Sequence, residues 1–260
     1  MSRVSVTYEN HIAHVTLSRP DKMNAVDEDM IQAIIAAGRE VADSDARAVI
    51  LSGEGNGFCA GLDVMSFASM AGKDTEDMMM PRTHGDTNRW QEVSLVWRRV
   101  PVPVIAAIHG VCFGAGFQLA LGADIRFAAP GTKMSVMEMK WGLVPDMGGM
   151  LLLPHLARSD VIRLLTYTAR SFTAEEAAEW GLVTSLADDP LAAAQALAEE
   201  IAGKSPSAIR EAKALIEVGE SEAREAILLA ESKAQANLIG NADQMEVIAA
   251  QMQKRAPVFK

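Results

Sequence analysis

The stretch from Ile105 to Ala128, IAAIHGVCFGAGFQLALGADIRFA, decides how the rest of the chain is read. The run Val102 to Ile108 that leads into it is almost wholly apolar, as expected for a strand buried on both faces. A Gly-rich turn then opens into an apolar, helix-like segment, and Ala123 to Ala129 resumes a strand pattern. Glycine and alanine at Gly114-Ala115-Gly116 let another backbone or a ligand approach closely. The first N–H groups of such a helix have no intrahelical partner and carry the positive end of its dipole, which suits an anion. One neutral amide, Gln118, interrupts the apolar helix.

Working outward, the same design occurs earlier in VILSGEGNGFCAGLDVMSF, Val49 to Phe67, with Ala60-Gly61 at the helix entry. Two such entries facing one point would form an oxyanion site for a thioester or ester carbonyl. Tight helix–strand packing would also account for the glycines. Their spacing is not G-x-G-x-x-G, and no acidic residue follows at the ribose-binding distance, which disfavours a dinucleotide site. Ahead of these motifs, alternating Val4, Val6 and Tyr8, a break at Glu9-Asn10-His11, and Ile12 to Leu17 predict a hairpin. Met30, Ile34, Ala37 and Val41 predict a helix over Asp27 to Val41, and Ala48 to Leu51 another buried strand. Strand, Gly-rich turn and helix thus recur, which points to an α/β fold with mostly parallel pairing.

From Phe172 onward the pattern is almost entirely helical apart from Val183 to Leu186. Thr173 and Glu176 form a capping-box pair, Gly181 is placed to end that helix, and Ser205-Pro206 starts another. The long apolar faces of the last helices, Ile216, Ala223, Ile227 and Ala230 among them, suit packing on the body or on another subunit. A core over residues 1–195 and a helical subdomain over 196–260 are expected. The Met-rich segment Met65 to Asn88 has no clear period and is read as a loop or frayed helix. With Trp90 and Trp97 it is a candidate to shape an acyl pocket.

The 260 residues are 49% hydrophobic and 22% charged, as in ordinary globular proteins rather than disordered ones. A net charge of −10 argues against nucleic acid or an anionic membrane as main partner. Cys59 and Cys112 have no ligand-like spacing, so neither a disulfide scaffold nor a metal site is expected. No signal-peptide core and no run near the roughly 20 apolar residues of a bilayer span are present, and a cytoplasmic location is expected.

Four ordered segments carry a resemblance: SRPDKMNAV (Ser18 to Val26), GFCAGLD (Gly57 to Asp63), Ile105 to Ala128, and MEMKWGLVPDMGG (Met137 to Gly149). With ARSFTAEEAAEWGLV (Ala169 to Val183) they resemble the crotonase superfamily, the enoyl-CoA hydratase/isomerase family, over essentially the whole chain. The resemblance implies a spiral of ββα turns with a C-terminal helical trimerisation region, assembled as a homotrimer or dimer of trimers. It implies an acyl-CoA thioester substrate, with no cofactor beyond the CoA of the substrate itself. The thioester oxygen would sit between the backbone N–H groups of Leu62 and Ala115. Lys22, Met23, the Ala60 backbone and Asp63 would lie near the CoA, and Phe259-Lys260 would reach a CoA phosphate, in some relatives that of a neighbouring subunit. Asp63 is alternatively a helix cap.

Hydratases of the family hold a water between two glutamates. The second of these matches Glu138 and the first matches Gln118, which cannot give or accept a proton at neutral pH. Asp146, eight residues after Glu138, reproduces the Glu-then-Asp spacing of the superfamily's dienoyl-CoA isomerases. Those carry a further acid where this chain has Gln118, and an Asp after Pro is also an ordinary turn residue. Glu138, in its Met-Glu-Met setting, should be buried with a raised pKa, as a base acting near neutral pH needs. His109 and the two cysteines read as structural. Isomerisation of an enoyl- or dienoyl-CoA is favoured; a 2-enoyl-CoA hydratase in which Gln118 orients the water is the alternative. A non-catalytic acyl-CoA-binding protein is a third possibility, against which the buried Glu138 argues.

Overall fold

The computed structural model describes residues 2–63, 65, 75–221 and 242–259. The strands among them are β1 (Val4–Glu9), β2 (Ile12–Leu17), β3 (Ala48–Gly53), β4 (Val104–Ile108), β5 (Val111–Phe113), β6 (Ile125–Ala128), β7 (Lys133–Ser135), β8 (Phe172–Thr173) and β9 (Ser185–Leu186). The helices are α1 (Glu28–Ala42), α2 (Thr75–Met79), α3 (Arg89–Arg99), α4 (Ala115–Leu121), α5 (Gly149–Leu156), α6 (Ser159–Thr168), α7 (Ala174–Glu179), α8 (Pro190–Ala202), α9 (Pro206–Ser221) and α10 (Ala242–Gln253).

Six strands form one sheet in the order β1-β2-β3-β4-β6-β9, parallel throughout except for the β1–β2 hairpin. A small second sheet runs β5-β7-β8. The chain alternates between them: β4 goes to the large sheet and β5 to the small one before α4, and β6 and β7 repeat the step. A parallel bridge between Cys59 and Cys112 adds the segment after β3 to the edge of the small sheet, so the first pass has the same build. This is the ββα spiral of the crotonase fold. The three-residue strands β5 and β7 are absent from the sequence-based expectation because so short a run carries no period.

The two faces of the large sheet explain why its inner strands are apolar at every position. Every residue of β4, and the first four of β3, are buried. One face packs against α1, α3 and α4 through Val15, Val49, Leu51 and Ala106. The other, carrying Ile12, Ile50 and Ile105, is covered by Ala194 and Ala198 of α8. The division drawn after residue 195 therefore falls inside a helix that seals the sheet. Residues of α8 belong with the spiral, and the helical region begins beyond it.

Local chemistry sets the helix ends. The Asp27 side chain accepts the Met30 N–H at the start of α1, and Gly38 of that helix lets α3 approach so closely that a Cβ would sit 2.5 Å from Val96. Asn88 with Gln91, and Thr173 with Glu176, complete capping boxes on α3 and α7, and Gly181 with φ +85° follows α7. Trp97 is fully buried in the core and Trp90 nearly so, which removes Trp97 from the candidates for an acyl pocket. Residues 64 and 66–74 of the Met-rich segment lie outside the described residues, as do Ala223, Ile227, Ala230 and Lys260.

One buried ion pair ties α9 to the body. The Lys213 ammonium donates to the Trp97 and Val102 carbonyls and, at 2.7 Å, to Asp124, which also accepts the Val104 N–H. Burial pulls the Lys213 pKa down, against the pull of Asp124. No helix of the described residues is long and apolar enough to cross a membrane.

Candidate active site

The two glycine-rich entries meet. The peptide at Leu62 is turned by Gly61, whose φ of +95° is a region closed to most side chains. A Cβ on Gly61 would stand 2.8 Å from the Phe113 oxygen and 3.8 Å from the Ala115 nitrogen, so the two turns are in direct contact. A parallel bridge to Val26 holds this segment: Val26 N–H donates to Gly61 O and Asp63 N–H to Val26 O. Strand geometry then directs the Leu62 N–H away from Val26. Neither the Leu62 nor the Ala115 N–H donates to an acceptor among the described residues. Two free donors on adjoining backbones are the ingredients of an oxyanion hole.

Glu138 stands beside the second donor. It opens a short 3-10 turn, Glu138–Trp141, after β7, and a Cβ on Gly114 would lie 3.4 Å from its Oε1. Gly114 N–H donates to Ser135 O, which fixes the approach of the two segments. Gln118 donates through Nε2 to Glu138 Oε1 at 2.7 Å. The other carboxylate oxygen, Oε2, is buried with no partner among the described residues. Burial pushes the Glu138 pKa up; the Gln118 bond opposes this, and the charge of Asp146 adds to the rise.

Gln118 is only 1% exposed, and its orientation is fixed. Its Oε1 accepts the N–H groups of Met147 (2.9 Å) and Gly149 (3.0 Å). Only oxygen can accept from two N–H groups, so the nitrogen must face Glu138. With its oxygen occupied twice, the amide has little capacity left to hold a water as acceptor.

Asp146 immediately precedes this anchored turn and reaches solvent, yet surrounding protein still raises its pKa through desolvation. Between the two acids, Trp141, Leu143 and Val144 expose apolar surface, Trp141 at 51%. Trp141 was not singled out from the sequence; its place between two acids in one motif was the available signal.

The other expected site residues divide. Ala60 N–H donates to Met23 O, so Met23 and Lys22, both exposed, flank the first turn of the hole. Asp63 accepts the Met65 N–H and pairs with Arg19 at 2.8 Å, and its pKa is lowered, first by the Met65 bond. The helix it was expected to cap lies outside the described residues. Phe259 lies elsewhere: its ring packs under Arg47, and its carbonyl accepts from the same guanidinium. Arg47 precedes β3 whereas the hole follows it, so about 20 Å of strand separates them, given roughly 3.3 Å per residue. Within one chain Phe259 is not at the site.

Asn24, missed in the sequence, is fully buried and holds the first turn together. Its amide nitrogen donates to the carbonyls of Glu54, Gly57 and Phe58, and its oxygen accepts the Arg19 N–H. Cys59 and Cys112 are buried, with pKa values raised by desolvation (Cys59 to about 12), and are inert as nucleophiles. His109 bonds the Gly55 carbonyl, a structural role.

A spiral of ββα turns that brings together two free backbone donors and a half-buried acid defines a crotonase-type scaffold. The enoyl-CoA hydratase/isomerase family matches residues 7–260, and the chain belongs to it. It is 36% identical over 222 residues to the human mitochondrial Δ(3,5)-Δ(2,4)-dienoyl-CoA isomerase, covering 79% of this chain and 65% of that protein. The match thus spans slightly less than two thirds of that relative's length. The Escherichia coli 1,2-epoxyphenylacetyl-CoA isomerase is 33% identical, covering 96% of this chain and 95% of its own. Among solved structures, the enoyl-CoA hydratase of Bacillus anthracis superposes with a TM-score of 0.87 at 30% identity, covering 99% of each chain.

Proposed function

We propose that the chain shifts a carbon–carbon double bond in an enoyl- or dienoyl-CoA by way of a thioester enolate. The observation that carries this is the pairing at Glu138: one oxygen, beside Gly114 at the second turn, is held by Gln118, and the other is buried without a partner among the described residues. The Leu62 and Ala115 N–H groups would take the negative charge on the thioester oxygen, each contributing on the order of 3 kcal/mol to the transition state. Glu138 removes the proton from the carbon next to the thioester. Charge then spreads along the conjugated chain, and a proton returns at its far end from Glu138 or Asp146. No atom is gained or lost, so no second substrate is needed. A raised pKa suits both acids to carry a proton near neutrality. Exposed Trp141, Leu143 and Val144 would line the acyl chain, and Lys22, Met23 and the Ala60 backbone the CoA. Lys260 remains a candidate for a phosphate contact across a subunit boundary.

The purified protein offered 2-enoyl-, 3-enoyl- and 3,5-dienoyl-CoA tests this directly. Consumption of the 3-enoyl or 3,5-dienoyl substrate with formation of its conjugated isomer is expected. Fast hydration of the 2-enoyl substrate would replace the isomerase with the hydratase, which the likeness to the Bacillus anthracis hydratase favours. Binding of all three without turnover would leave an acyl-CoA binder.

A homotrimer or dimer of trimers in the cytoplasm completes the proposal. Exposed Leu151, Leu164 and Tyr167 support burial against another copy. Light scattering on the eluted protein reads the mass, and a monomer would refute it.

A further inference from the structure

We infer that Gln118 is a positioning residue whose amide locks Glu138 and the Asp146 turn into one unit, setting the direction of the catalytic carboxylate rather than holding a water. This rests on the reading of Glu138 as the base. Three bonds converge on a side chain with almost no solvent contact: Met147 N–H and Gly149 N–H onto Oε1, and Nε2 onto Glu138. Both backbone donors lie within three residues of Asp146, so the amide fixes the acid turn on one side and the base on the other.

Gly149 is part of the same device. A Cβ there would fall 2.7 Å from Gln118 Oε1 and 3.0 Å from its Cγ, so only glycine lets the turn close on the amide. The oxygen at 118 must accept twice while the other end of the side chain donates to a carboxylate, and neither a carboxylate nor an aliphatic side chain does both. An amide at 118 meets both demands at any pH, whereas an ionised acid would not. The donated bond also stabilises the charged form of Glu138 against burial.

Gln118→Met and Gly149→Ala test the lock from its two ends. Gln118→Met removes the donor but leaves two buried N–H groups unpaired. Gly149→Ala displaces the amide without altering it and leaves α5 a better helix former. For both, kcat should fall about tenfold or more, with KM within about threefold, and the acid limb of the kcat/KM profile should move to higher pH. Titration of the Glu138 carboxyl by difference infrared spectroscopy against Glu138→Gln, in unliganded protein, should show the same upward movement. An unmoved Glu138 titration in either folded variant overturns the lock, as does a KM rise with an unchanged kcat and pH profile. The infrared titration needs no substrate. If the wild type consumes no enoyl- or dienoyl-CoA while Glu138 still shifts, the isomerase reading fails and the lock stands.

Discussion

The two halves of the candidate site are built from different materials. The candidate oxyanion hole is made of backbone: Gly61 and Gly114 in left-handed or unusual conformations present the Leu62 and Ala115 N–H groups, and side-chain identity there matters little. The acid half is made of side chains on a short 3-10 turn and an irregular segment, and depends on a remote amide for its direction. The hole is a consequence of the repeating fold, whereas the acids are an addition to it. A scaffold of this kind keeps its way of stabilising charge while its proton chemistry changes, and function has to be argued from the acids.

That contrast can be broken at either half. Replacing Glu138 by Gln leaves the hole intact and should lower kcat by about 10²–10⁴, with CoA-thioester binding unchanged. The raised Glu138 pKa means the charged carboxyl costs stability once the pH exceeds its folded pKa. Melting of Glu138→Gln at neutral pH should therefore be no lower than that of the wild type; a large fall would make Glu138 structural.

Gly61→Ala attacks the other half. Its φ of +95° and the 2.8 Å contact with Phe113 O force the peptide to move, and kcat should drop by about 10²–10³, the usual cost of one lost donor. Near-normal turnover would remove Leu62 from the hole.

Lys213→Met is a control outside both halves. It strands the Asp124 carboxylate and should cost about 3 kcal/mol of stability in urea unfolding, while kcat of the folded enzyme holds.

The smallest effect is the one that sharpens the comparison most. Because burial raises the Glu138 pKa, the base form is lost as pH falls through that value. The acid limb of kcat/KM should thus lie above the ordinary glutamate range near about 4.3. A limb at the ordinary value would mean that Glu138 is solvated in the working enzyme. Asp146→Asn should cost less than Glu138→Gln, since Asp146 is the more solvated acid.

The hole was legible because its requirements are local. A buried strand and a turn that needs glycine lie within about a dozen residues, and two copies in one chain reinforce each other. Glu138 was singled out through its apolar neighbours Met137 and Met139, yet Met139 is exposed and the whole turn is at most half-buried, so the desolvation of Glu138 comes from segments packed on it rather than from its neighbours. Gln118 was visible only as a missing acid. Its partners Met147 and Gly149 lie 29 and 31 residues away, and no local pattern ties an amide to backbone N–H groups at that distance. Asn24 escaped notice for the same reason, since its carbonyl partners lie 30–34 residues on. Trp97 read as a pocket residue because aromatic composition does not say which face of a helix is inward.

The sequence by itself determined the fold class, the paired glycine turns and the presence of a candidate base without a second glutamate, because strand burial, positive φ and titration belong to single residues and short runs. Only the tertiary structure decided that the two turns touch, that Phe259 lies at the far end of β3, and that Gln118 spends its oxygen on the Asp146 turn and its nitrogen on Glu138. Those are contacts between segments distant in the chain, and the direction of a hydrogen bond is set by whichever donors packing brings within reach.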